Sequence, residues 1–232
     1  MNNLLKLCLF PLTLAISITL PAAAQSVPMR QGISVQLATT SNATVMPAAD
    51  NEDAVIVAIT HDGRVYLGIS PISPGDLVER LRAVLVGNTK KLYIKADARA
   101  PYTDVLKALE AAHLAGGDLI VLLTSQRESP EPGKLVSPQG LEVLVTGPLP
   151  ADSKAPVVQL LNSGKGSSAL RINNSDIPPS ALRNTLSQLL QGRSQRNVVI
   201  QADGVLSYAD IVDVIDQCRS VGAKVLLQGA AS

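Results

Sequence analysis

The sequence contains an internal repeat, which limits the folds that the chain can adopt. The block Ile94-Lys-Ala-Asp97 recurs 106 positions later as Ile200-Gln-Ala-Asp203. The same spacing relates further positions: Tyr102 and Tyr208, Asp104 and Asp210, Gly116 and Gly222, and the apolar runs 119–121 and 225–227. Upstream, Gly32-Ile-Ser-Val recurs as Gly140-Leu-Glu-Val at a spacing of 108. Similarity of several blocks in the same order indicates duplication of one structural unit.

Each copy has the pattern of a ββαβαβ unit. In the first copy, apolar β-prone runs at 54–60 and 65–68 flank a turn, which predicts a hairpin. A leucine-spaced helix follows, opened by residues 73–76 and stopped by Gly87-Asn88, then a strand at 92–96, a second amphipathic helix, and a strand at 119–123. The second copy has matching runs at 157–161, 169–172, 179–190, 198–202, 207–221 and 223–227. We predict an α+β fold of two tandem units, each with two helices packed on one face of a mixed sheet.

The predicted organisation has five parts. They are a signal peptide (1–24), an N-terminal strand and polar linker (25–53), a first domain (54–126), a linker (127–139) and a second domain (140–232). The linker is predicted because 125–138 contains three prolines and mixed charge without apolar periodicity.

The N-terminus has the layout of an export signal. Lys6 precedes an apolar run from Leu7 to Leu20, and the small residue Ala24 predicts cleavage before Gln25. This predicts a periplasmic protein. The alternative is an uncleaved inner-membrane anchor, but a spanning helix needs about 20 apolar residues, and Pro11 interrupts this shorter run.

Composition and motifs argue against several functions. Lys and Arg total 20 against 19 for Asp and Glu, and aromatic residues make up 2%, so nucleic-acid binding is not expected. The two histidines, His61 and His113, lie in a predicted turn and late in a predicted helix, without metal-ligand spacing. The stretch 162–168 lacks the glycine pattern of a phosphate loop. We therefore predict a protein that is not an enzyme and uses no metal or cofactor.

The repeated polar residues allow a chemical and a structural interpretation. Asp97 and Asp203 each end a predicted strand, and Tyr102 and Tyr208 each begin the next helix. An acid beside a phenol would suit a small hydrolase, but no base accompanies it. We favour structural roles, in which the carboxylate binds free backbone N–H groups and the tyrosine packs the helix start. Two further repeated residues are predicted to be left-handed helix caps: Gly116 and Gly222.

The chain resembles the periplasmic domain of the ExbD/TolR family of biopolymer transport proteins, in two tandem copies. The resemblance is carried by the Ile-x-Ala-Asp block, the leucine-spaced helix and Tyr102, together with three segments: Gly32–Leu37, Asp62–Leu67 and 115–119. It runs from about residue 32 to 126 and, more weakly, from 140 to 229.

The resemblance implies partners and a mechanism. Family members pair with an ExbB/TolQ-type channel subunit and act on a TonB- or TolA-like transducer, using an Asp in a membrane helix to carry protons. No acidic residue lies between Leu7 and Leu20, so we expect an accessory binding protein without that Asp. A stand-alone peptidoglycan binder is the alternative. Because the family domains work as dimers, the two copies are expected to form an intramolecular pseudo-dimer.

Overall fold

The computed structural model describes residues 32–85, 91–117, 119–127, 136–147, 153–164 and 168–228. The predicted signal peptide, its cleavage site at Ala24 and Gln25, and most of the predicted linker lie outside these ranges.

The described chain begins with an N-terminal segment of short elements. They are β1 (Thr39–Thr40), β2 (Thr44–Val45) and a 3₁₀ turn (Pro47–Asp50). Residues 36–50 are called the strap below, because they contact both copies.

The first copy follows the predicted order, with one additional strand. Its elements are β3 (Val55–Ile59), β4 (Val65–Leu67), β5 (Ser70–Ile72), α1 (Pro74–Leu85), β6 (Leu92–Ala96), α2 (Tyr102–Leu114) and β7 (Leu119–Gln126). Helix α2 ends in a Schellman cap, in which Gly116 has a φ of 93° and the Gly117 N–H donates to the Ala112 carbonyl at 2.9 Å. Glycine adopts this left-handed conformation without steric cost.

The second copy repeats this order after one additional strand. Its elements are β8 (Gln139–Thr146), β9 (Val157–Asn162), β10 (Ser168–Ile172), β11 (Ser175–Ile177), α3 (Leu182–Leu190), β12 (Asn197–Ala202), α4 (Tyr208–Ser220) and β13 (Lys224–Gln228). Helix α4 ends in the same kind of cap, with Gly222 at a φ of 71°. The additional short strands β5 and β11 were not predicted, because three residues are too few to show a period.

In the described part of the chain, all strands belong to one mixed sheet. The main path runs β11-β10-β9-β12-β13-β8-β7-β6-β3-β4-β5. The two copies join where β7 pairs antiparallel with β8, from Leu119 opposite Leu144 to Thr124 opposite Gln139. Strands β3, β6 and β7 therefore run opposite to β8, β9, β12 and β13.

The two copies differ at the centre of the sheet. Gly140–Val143 lies in β8, which bonds to the last strand of each copy. Its counterpart in sequence, Gly32–Val35, is not in a strand. The strap instead pairs β1 with the end of β7 and β2 with the start of β8. One strand thus serves both copies, and the first segment of the first copy follows a different path.

The four described helices cover one face of the sheet. Alternate strand residues such as Leu92 and Ile94 join the buried residues of all four helices in one hydrophobic cluster. On the other face, Met46 and Ala49 of the strap pack in a smaller cluster with three strand residues: Tyr93, Val121 and Leu123. The predicted α+β fold, with helices packed on one face of a mixed sheet, is confirmed.

Candidate functional site

The loops that follow β6 and β12 bond directly to each other. Four backbone hydrogen bonds join them, with the donor given first: Tyr102 N to Leu206 O (2.8 Å), Thr103 N to Gly204 O (2.8 Å), Tyr208 N to Ala100 O (2.9 Å) and Ala209 N to Ala98 O (2.9 Å). Exchanging each residue for its counterpart 106 positions away in the other copy turns each bond into another bond of the set, so the contact is nearly two-fold symmetric. Residues 97–103 and 203–209 are called the crossover below.

The crossover completes the N-termini of α2 and α4. The first N–H groups of a helix have no partner within it and need another acceptor. Pro101, the N-cap of α2, makes no side-chain cap, whereas Ser207 forms a capping box with Asp210. In both helices, carbonyls of the opposite copy accept from the first two N–H groups. Each copy therefore depends on the other for a finished helix start.

The repeated tyrosines lie inside this contact. Tyr102 is 1% exposed and Tyr208 is fully buried. Burial raises the pKa of both phenols well above the ordinary range, so both stay neutral. The Tyr208 hydroxyl has no hydrogen-bond partner among the described residues. Two neutral, inaccessible phenols suit packing of the helix starts better than proton transfer.

Asp97 is a buried carboxylate with a complete set of donors. It is 3% exposed, and the Arg99 guanidinium donates to it through Nε at 2.9 Å and Nη2 at 3.0 Å. The backbone N–H groups of Gln36 and Arg99 donate at 3.0 and 3.1 Å. The Arg99 hydrogen bond holds the pKa of Asp97 well below its usual range, the backbone bonds add to this, and burial opposes it. Asp97 thus fixes both its own turn and the start of the strap.

Asp203, the counterpart of Asp97, has a different environment. It is half-exposed and accepts from the Asn162 N–H at 2.7 Å. Val205 stands where the first copy has Arg99, so the loop of Asp203 supplies no cation. The two repeated carboxylates therefore share a position in the fold but not a set of partners.

A third carboxylate, not predicted from sequence, holds the strap to the second copy. Asp216 of α4 is 2% exposed and accepts from the N–H groups of Ser41 at 3.1 Å and Asn42 at 2.8 Å. The Asn42 side-chain amide also donates to it, at 3.1 Å. The sequence does contain a signal, since Asp216 falls on the otherwise apolar stripe of α4 beside Ile215. Only the fold shows that the strap supplies its partners.

The remaining candidates from sequence stay apart. His61 is exposed in the turn after β3, and His113 is half-buried in the last turn of α2. Residues 165–167 of the stretch 162–168 lie outside the described ranges. Within those ranges no group of three or more His, Cys, Asp or Glu residues could hold a metal ion. No described helix is long and apolar enough to cross a membrane.

The fold and the crossover define a tandem duplication of an α+β unit whose two copies complete each other. The chain belongs to the ExbD/TolR family: the family model for "Biopolymer transport protein ExbD/TolR" matches residues 14–127 and again residues 129–228. These matches confirm the resemblance and the tandem copies. A search of curated proteins gives no match. The family is envelope-associated, consists of transport components rather than enzymes, and generally implies ExbB/TolQ and TonB/TolA partners.

Proposed function

We propose that this chain is a periplasmic binding protein, accessory to proton-driven transport across the envelope. It contains two copies of the ExbD/TolR periplasmic domain in one polypeptide. The apolar run from Leu7 to Leu20 contains no Asp that could carry protons. Its partner is an ExbB/TolQ-like channel subunit or a TonB/TolA-like transducer. The observation that carries the proposal is the crossover, in which the two copies meet through four symmetric backbone bonds.

The crossover supports an intramolecular pseudo-dimer. Its bonds use the same backbone groups of each copy, as an isologous contact between two identical chains would. Covalent linkage removes most of the translational and rotational entropy cost that two separate domains would incur on pairing. The pairing of β7 with β8 adds a second, continuous connection. A partner protein would therefore always meet two copies of the domain in each chain.

The buried carboxylates support a binding role rather than proton transfer. Asp97 is ionised beside Arg99, and backbone N–H groups of the strap donate to Asp216. Both carboxylates are engaged in holding the chain together. No acidic residue occurs between Leu7 and Leu20, where the family places its proton carrier.

Capture from the envelope tests the partner. The full chain with a C-terminal tag is expressed in its own host, membranes are solubilised in mild detergent, and the captured channel subunits and transducers are identified by mass spectrometry. Gly204→Ala, which disturbs the crossover, is expected to lower capture, and Gly147→Ala, in open space, is expected to leave it unchanged. If the chain sediments with purified peptidoglycan and captures neither partner, the accessory role is wrong.

The N-terminal mass of the protein recovered from the periplasm tests the location. Cleavage before Gln25 is expected. A chain that retains Met1 and fractionates with the inner membrane would instead identify an anchored subunit.

A further inference from the structure

The first copy holds one residue of an extended segment by both of its backbone groups. The Gln36 N–H donates to the Asp97 carboxylate at 3.0 Å, and the Gln36 carbonyl accepts from the Ala98 N–H at 2.7 Å. Lys95 Nζ supports the same segment by donating to the Ile33 carbonyl at 2.9 Å. The end of β6 is therefore a docking corner for extended chain, and the strap fills it.

The second copy has the same corner without an equivalent segment. Asp203 and Gly204 are the counterparts of Asp97 and Ala98, and the Gly204 carbonyl already serves the crossover. The sequence that would correspond to the docked segment lies in β8 instead. Within the described ranges, no acceptor is bonded to the Gly204 N–H.

Burial shows the same difference between the two corners. Ala96 and Asp97 are 0% and 3% exposed, and the strap bonds to Asp97 through the Gln36 N–H. Their counterparts Ala202 and Asp203 are both half-exposed. The corner of the second copy is therefore accessible to a segment of a partner protein.

Charge indicates the kind of chain that fits. In the first copy Arg99 neutralises Asp97, with its Nε 2.9 Å from the carboxylate. In the second copy the equivalent residue is Val205, an apolar side chain that is 72% exposed. A partner segment with Lys or Arg would supply the positive charge that residues 203–209 lack, and Val205 would offer it an apolar contact.

We infer that the Asp203–Gly204 corner is a docking site for an extended, basic segment of a partner protein. One residue of that segment donates its N–H to the Asp203 carboxylate and accepts from the Gly204 N–H, as Gln36 is held on the first copy. The inference deepens the proposed binding role, on which it rests, by naming the surface and the partner chemistry.

Synthetic peptides with the sequence of the docked segment test this inference by NMR. The probe is the nonapeptide of residues 32–40, Gly-Ile-Ser-Val-Gln-Leu-Ala-Thr-Thr, together with its Gln36→Arg and Gln36→Glu forms. In the full chain, the Gly204 amide resonance is expected to shift saturably, whereas that of Ala98 stays fixed because Gln36 already occupies it. The Gln36→Arg peptide should bind up to about fivefold more tightly than the unmodified one.

Variants of the chain connect the shifts to this corner. Asp203→Asn should weaken binding about tenfold or more, since hydrogen bonds to a charged acceptor are the stronger ones. Asp176→Asn, an exposed acid on β11, is the matched control and should change nothing. Val205→Arg places a cation where the first copy has Arg99, so it should abolish the preference for the basic peptide. This second variant keeps Asp203 and serves if Asp203→Asn loses its folded spectrum.

Three results would overturn the inference. They are no saturable shift at Gly204, equal binding by wild type and Asp203→Asn, and binding that appears only after removal of residues 229–232, which would make the chain's own C-terminus the occupant. The experiment uses no channel subunit. A negative peptide result beside successful capture of that subunit would therefore leave the proposed function standing.

Discussion

Gly204 lies directly against Thr103 of the opposite copy. A Cβ added at residue 204 would stand 2.9 Å from the Thr103 Cβ, closer than such atoms approach in folded proteins. Because this contact adjoins the hydrogen bond from the Thr103 N–H to the Gly204 carbonyl, a larger residue must push the two loops apart.

Gly204→Ala is therefore expected to lower the free energy of unfolding by about 1–3 kcal/mol, the usual effect of overpacking. Gly147→Ala is the matched control, because nothing lies within 4 Å of the added Cβ. Urea denaturation followed by circular dichroism measures both. Equal midpoints for the two variants would mean that the crossover does not stabilise the fold.

The buried Tyr208 hydroxyl gives a prediction of the opposite sign. A buried polar group without a hydrogen-bond partner destabilises the folded state. The Tyr208 hydroxyl has no such partner among the described residues. Tyr208→Phe is expected to raise the free energy of unfolding by about 1 kcal/mol. Tyr66→Phe, at a half-buried position on β4, should change stability by less than about 0.5 kcal/mol. Thermal unfolding compares them, and a lower midpoint for Tyr208→Phe would indicate a hydrogen bond to that hydroxyl.

Asp97 predicts a dependence of stability on pH. Its folded pKa is depressed below the unfolded value of about 3.9, so the ionised form stabilises the fold. That stabilisation is complete above the unfolded pKa and is lost as the pH falls through the folded pKa. At pH 7 the free energy of unfolding of Asp97→Asn is expected to be about 1–3 kcal/mol lower than that of wild type. This difference should shrink below about pH 4.

Denaturant titrations at pH 7, 5, 4 and 3 measure this difference for wild type and Asp97→Asn. Asp176→Asn, which removes an exposed carboxylate, serves as the control for the general effect of charge. A difference that stays constant across this range would show that the lost bonds do not depend on ionisation of Asp97.

The sequence predicts each unit well, because periodicity and caps are local signals. Leucines at one-turn spacing are buried in both copies: Leu77 and Leu81 in the first, and Leu182, Leu186 and Leu190 in the second. The alignment of the last strands is off by one residue. The spacing of 106 pairs Leu119 with Val225, but the registers place Ile120 beside Leu92 and Val225 beside Val198. The first copy therefore has one additional residue before β7, which an apolar run cannot reveal.

The relation between the copies was less accessible from sequence. The Gly-Ile-Ser-Val and Gly-Leu-Glu-Val blocks are alike, yet only the second lies in a strand, because β8 takes a single place between β7 and β13. Competition for one sheet position depends on the whole sheet and leaves no mark in either block. The same holds for Asp216, whose partners lie 174 and 175 positions away.

The contact of Asp216 with Ser41 and Asn42 predicts how the strap is held. Between the short strands β1 and β2, the backbone of the strap is held at Ser41 and Asn42 by this carboxylate. In Asp216→Asn the amides of residues 41 and 42 lose a charged acceptor, which costs about 1–3 kcal/mol. We expect their hydrogen exchange to quicken by about tenfold or more, and that of Met46 to follow, while α4 keeps its protection.

Hydrogen exchange followed by NMR on the full chain resolves these amides. Asp213→Asn is the matched control, since Asp213 lies one turn earlier on α4 and is exposed. Its Oδ1 is 3.8 Å from Nη2 of Arg127. Faster exchange throughout α4 would assign Asp216 to the stability of its own helix. Faster exchange confined to the strap would instead identify Asp216 as the residue by which the second copy fixes the path of the chain into the first.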